Sequence, residues 1–81
     1  MRLEILIDGM LSVHAKHAVF AALAGVGGVD GAEVELGRVE LECARSDSEF
    51  AAVESEIRAA VAAAGFAVRA VKRLPRRLPM I

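Results

Sequence analysis

Two histidines, His14 and His17, stand three residues apart in the stretch Asp8-Gly9-Met10-Leu11-Ser12-Val13-His14-Ala15-Lys16-His17, and the chain has no others. On a helix this spacing puts both imidazoles on roughly one face, about one turn apart. A neutral imidazole ligates Zn, Ni, Co or Cu(II), so the pair can hold one transition metal ion. Asp8, Ser12, water or a second histidine pair across a homodimer would complete such a site. Two ligands alone make a weak site, and the competing reading is a pair of solvated helix histidines. Met10 offers a thioether to the same ion or a packing group to the core. The single Cys43 alternates in step with Val39 and Leu41 and reads as a small buried hydrophobe. No catalytic set emerges. Ser12 and His14 are close in sequence, but nothing orients a base or suggests an oxyanion pocket, and Ser12 serves more simply as a helix cap.

The elements around this stretch follow from hydropathy periods. Arg2 to Ile7 alternates, with Leu3, Ile5 and Ile7 on one face and Glu4 on the other. Ser12 caps a helix from Val13 whose expected inward stripe is Val13, the stem of Lys16, Val19, Phe20 and Leu23. The glycines of Ala24-Gly25-Val26-Gly27-Gly28 end it through a left-handed cap. Asp30 to Leu36 and Arg38 to Ala44 alternate cleanly and form a hairpin at Gly37, with Ala32, Val34, Leu36, Val39, Leu41 and Cys43 inward. Ser46 and Glu49 have capping-box spacing ahead of a second helix. Its inward residues are Phe50, Val53, Ile57, Ala60, Val61 and Ala64, and it stops at Gly65. Phe66 to Val71 is the last strand, with Phe66, Val68 and Ala70 inward. Two prolines then argue against further pairing.

The order strand, helix, strand, strand, helix, strand with right-handed crossovers predicts an α+β, ferredoxin-like βαββαβ sandwich, a four-stranded antiparallel sheet with two helices on one face. Residues 1–73 form the domain and residues 74–81 a basic, proline-containing tail. Glu4, Glu33, Glu35, Glu40 and Glu42 share the open sheet face, with the tail's basic residues as their counterpart. A solvated acidic face and a separate tail is the other reading.

Size and charge narrow the uses of this fold. At 81 residues, with 56% apolar side chains but three Phe and no Trp or Tyr, the chain builds one core from small groups. A lone cysteine and an early charged N-terminus fit a cytoplasmic protein without a secretory leader. No run is apolar enough to insert in a membrane. The formal net charge of -1 draws in neither nucleic acid nor anionic lipid. The central strands present Glu4, Leu6, Arg38, Glu40 and Glu42 where an RNA-recognition sheet needs stacking aromatics, so nucleic acid is not a partner. Asp8-Gly9 is also compatible with the glycine-containing loop of an amino-acid-binding regulatory domain.

The Asp8 to His17 stretch resembles the metal-binding loop of heavy-metal-associated domains, the small copper-chaperone and metal-ATPase modules, whose pattern is Gly-Met-x-Cys-x-x-Cys running into a helix. Gly9 and Met10 match, and Ser12 and Ala15 stand at the two thiol positions. The resemblance spans residues 2–71 and is also carried by His14, Val19, Leu23, Gly28-Val29 and Ala64-Gly65-Phe66. It implies the same fold, Met10 packed inward beneath the loop, and the Phe66 ring beside it. It further implies a non-enzymatic module for metal ion binding or trafficking. Since soft thiolates are what hold Cu(I), the degenerate loop shifts the expected ligands to His14 and His17, with Ser12 and Met10 shaping the site. The alternative from the same resemblance is a metal-independent interaction or regulatory module whose partner is a protein.

Overall fold

The computed structural model describes residues 1–75. The strands are β1 (Arg2–Asp8), β2 (Val29–Glu35), β3 (Arg38–Cys43) and β4 (Ala67–Leu74), with helices α1 (Val13–Ala24) and α2 (Phe50–Ala63). The sheet is antiparallel in the order β2-β3-β1-β4, so the two strands bearing the longest apolar alternations occupy its centre. Both helices lie on one face, α1 against β2 and α2 against β4. This is the expected ferredoxin-like sandwich.

The core forms where the two periods meet. Leu3, Ile5 and Ile7 of β1 and Val39, Leu41 and Cys43 of β3 point at Ala15, Val19 and Leu23 of α1 and at Val53, Ile57 and Val61 of α2. Burying each of the larger aliphatic side chains contributes about 1.5–3 kcal/mol before entropy is counted. The α1 stripe is Ala15, Val19 and Leu23, one residue per turn, whereas Val13 and Phe20 are exposed. A small residue at position 15 lets the first turn sit close to the sheet, which rotates the helix away from the face that side-chain size alone would choose.

Several local expectations change for physical reasons. Gly25 ends α1 with a right-handed φ of -81°, and the left-handed turn falls at Gly28, φ 89°, where the chain enters β2. Leu36 lies in the hairpin turn beside Gly37 and is exposed. Ser46 and Glu49 do not close a capping box: residues 47–49 form a 3-10 turn, the Ser46 side chain makes no cap bond, and the Ser46 and Ser48 hydroxyls pair at 2.8 Å.

The largest correction concerns β4. Ile5 pairs with Val71 and Ile7 with Val68, so the chain makes a bulge containing Arg69, and the inward residues are Val68 and Val71. Ala70, opposite Leu6, faces away from the helices. An inserted residue reverses the alternation beyond it, which no period-two pattern reveals. Beyond the bulge β4 continues past Val71 to Leu74, which pairs with Arg2. The Arg73 guanidinium lies 5.5 Å from the Phe50 ring centroid on the helix side. Arg76, Arg77 and the rest of the expected tail lie outside the described residues.

The open face carries the five expected glutamates, and Glu4, Glu35, Glu40 and Glu42 have ion-pair partners in Arg2 and Arg38 of the sheet itself. Arg38 donates from Nε to Glu4 Oε2 at 2.7 Å and from Nη2 to Glu40 Oε1, while Arg2 Nη2 is 3.2 Å from Glu40 Oε2. Hydrogen bonding to Glu4 raises the Arg38 pKa above its ordinary value. Lys72 stands opposite Glu4.

Candidate metal-handling loop

The loop is shaped from both ends. β1 delivers the chain at Asp8, and Gly9 then takes φ 85°, a left-handed conformation that glycine adopts without penalty. A Cβ at Gly9 would lie 3.7 Å from Phe66 Cδ1, so the ring following α2 lies beside this turn. Met10 drops into the core and is fully buried, which anchors the loop from beneath. Leu11 points out, 83% exposed.

Ser12 then caps α1. Its backbone is extended, with φ -143° and ψ 164°, and its Oγ accepts the Ala15 N–H at 3.1 Å while its carbonyl accepts the Lys16 N–H at 3.0 Å. Ala15 faces the core, so the opposite side of the first turn belongs to His14 and His17, both exposed. At this spacing the two Cβ atoms lie about 5–6 Å apart, within reach of one ion after side-chain rotation.

The remaining donors are engaged or distant. The Asp8 carboxylate is 2.9 Å from Arg69 Nη2, the residue that the bulge brings to the end of β1. The Ser12 hydroxyl oxygen is committed to the cap. Cys43 is buried at the far end of β3, where its carbonyl accepts from the N-terminal ammonium of Met1, and the length of the strand separates it from the loop by about 17 Å. Among the described residues, no group of three or more His, Cys, Asp or Glu side chains is placed to hold a metal ion.

The hairpin turn forms the neighbouring wall. Ile7 donates its N–H to the Gly37 carbonyl at 2.9 Å, which brings the exposed Leu36 beside Leu11 around a shallow depression over Gly9 and Met10. Neither Arg69 nor Leu36 was expected near this loop, because a bulge and a turn place them there. The only sequence signal was the odd parity of Val68 and Val71.

The class that these elements define is a βαββαβ sandwich with a glycine-methionine loop running into a capped helix. No family model matches the sequence, and no curated protein matches it. Solved structures do. The CopZ metallochaperone is 31% identical, with a TM-score of 0.69 and coverage of 84% of this chain and 98% of that one. The N-terminal domain of PacS from Synechocystis PCC6803 matches at 20% identity and TM-score 0.73, covering 90% and 98%. Oxidized MerP from Ralstonia metallidurans CH34 matches at 20% identity and TM-score 0.72, covering 90% and 97%. The chain belongs to the heavy-metal-associated domain family. Among the described residues no helix is long and apolar enough to cross a membrane.

Proposed function

We propose that this chain is a small, non-enzymatic metal-handling module in which His14 and His17 take over the role that thiolates have in the family loop. The observation that carries this reading is the exposure of both imidazoles on the first turn of α1, directly after the Gly9-Met10 loop, in a chain similar to a metallochaperone. Imidazole nitrogens favour borderline divalent ions, so the cargo is Zn(II), Ni(II), Co(II) or Cu(II) rather than Cu(I). Ser12 fixes the first turn through its cap and Met10 fixes the loop from beneath, so both shape the site without ligating. With Asp8 paired to Arg69, water or a second molecule completes the coordination shell. Such an open site exchanges its ion readily, which suits transfer better than storage, and a cytoplasmic setting fits that use.

The exposed Leu11, Val13 and Leu36 support a second reading, a module that docks a partner protein through the loop end without metal. Native mass spectrometry against Zn(II), Ni(II), Co(II), Cu(II) and anaerobic Cu(I), with a His14→Ala/His17→Ala variant alongside, separates the two. Metal handling predicts one divalent ion per chain or per dimer, lost in the variant. Indifference to every ion would leave the docking reading.

A further inference from the structure

Among the described residues, β2 and β4 each have one side with no strand partner, and their charges are opposite. β2 carries Asp30, Glu33 and Glu35 and no base, whereas β4 carries Arg69, Lys72 and Arg73 and no acid. Two copies meeting β2 to β2, or β4 to β4, across a two-fold axis would bring edges of like charge together. A β4 edge facing a β2 edge opposes unlike ones.

Strand direction permits this second pairing. β2 and β1 run one way and β3 and β4 the other, so a copy in the same orientation presents its β2 antiparallel to β4. Continuing the rows of the sheet sets Lys72 opposite Glu33 of the next copy and Val71 opposite its Val34, each pair on a common face. The row on the other side of Lys72 sets Arg73 opposite Ala32. Ala32 lines a groove with Ala24, Val29 and Phe20, and Phe20 is 49% exposed. The bulges at Asp30 and Arg69 confine pairing to residues 31–35 and 70–74.

We propose that this chain self-associates head to tail, β4 of one copy pairing antiparallel with β2 of the next. The contact is heterologous and does not close on a two-fold axis, so assembly proceeds beyond the dimer. It leaves the His14 loop free and holds whether or not that loop binds metal.

The test is sedimentation velocity of the full chain from micromolar to millimolar concentration at low and high salt. Wild type, Lys72→Glu, Glu33→Lys and an equimolar mixture of the two variants are compared, with folding of each checked by circular dichroism. Wild type should increase in mass beyond a dimer with concentration, and salt should reverse this. Each variant alone opposes like charges and should associate about fivefold more weakly. The mixture restores unlike charges at every contact and should recover wild-type association. Should Lys72→Glu fail to fold, Lys72→Gln replaces it and should weaken association by removing the same charge pair. A monomer at all concentrations, association indifferent to the variants, or a mixture no stronger than its components would overturn the proposal. Growth that stops at a dimer would overturn it too, pointing to a two-fold contact.

Discussion

Ser12 Oγ accepts the Ala15 backbone N–H at 3.1 Å, which ties the residue before α1 to its first turn. The Ser12 oxygen holds the helix terminus, and the Ala15 methyl group sits in the core. Two consequences are separable. Ser12→Ala should lower unfolding free energy by about 1 kcal/mol in urea titration, with His-dependent metal binding retained. Ser12→Cys/Ala15→Cys should gain tight, stoichiometric anaerobic Cu(I) binding, because it sets two thiolates at Cys-x-x-Cys spacing at a helix N-terminus. A folded double-cysteine variant that ignores Cu(I) would show that the loop has diverged in geometry as well as in ligands.

Met10 is fully buried beneath the loop, among residues that include the inward stripes of both helices. Met10→Ala should therefore cost about 2–5 kcal/mol, whereas a direct ligand at the surface would cost little stability. Met10→Leu, which conserves volume, should restore most of that loss and leave metal stoichiometry unchanged. Loss of metal binding in a stably folded Met10→Leu protein would return Met10 to the ligand set.

Element order and core faces were legible because the chain alternates at period two through β1 and β3 and recurs at three and four through α2. Legibility stopped where one residue breaks a period. Arg69 is the added residue of the β4 bulge, so Ala70 faces outward and Val71 inward, and the strand runs on to Leu74. Ala15 carries no apolar bulk to announce a buried position, yet its small size is what lets α1 approach the sheet there. For the site, the spacing of His14 and His17 marked the exposed side of the first turn. The pairing of Asp8 with Arg69 was invisible, since it joins residues from opposite ends of the chain through that same bulge.

On the open sheet face Arg38 reaches Glu4, Glu35 and Glu40, and Arg2 reaches Glu40 and Glu42. Removing the Arg38 charge leaves adjacent carboxylates on β1 and β3, with Glu4 directly opposite Glu40. Arg38→Gln should lower the thermal midpoint, and added salt should shrink the difference from wild type by screening the exposed repulsion. A salt-independent deficit would mean that Arg38 contributes through the packing of its stem rather than through charge.

Gly28 governs how α1 hands the chain to β2. Its φ of 89° lies in the left-handed region, and a Cβ there would stand 2.7 Å from Arg45 Cγ and 3.3 Å from Cys43 Sγ. Gly28→Ala therefore combines backbone strain of about 1–2 kcal/mol with displacement of the Arg45 stem. That side chain spans to α2, with Nη1 2.6 Å from Glu56 Oε2, so its displacement should also loosen the link between α2 and the start of β2. Urea denaturation of Gly28→Ala should show a loss larger than that of Gly27→Ala, whose Cβ would meet nothing within 4 Å and whose φ is not positive. Adding Arg45→Ala to Gly28→Ala should recover the steric part and leave the backbone part, since the nearest clashing atoms are then gone. Equal losses at the two glycines would remove the left-handed turn and the Arg45 contact as the reason for glycine at position 28.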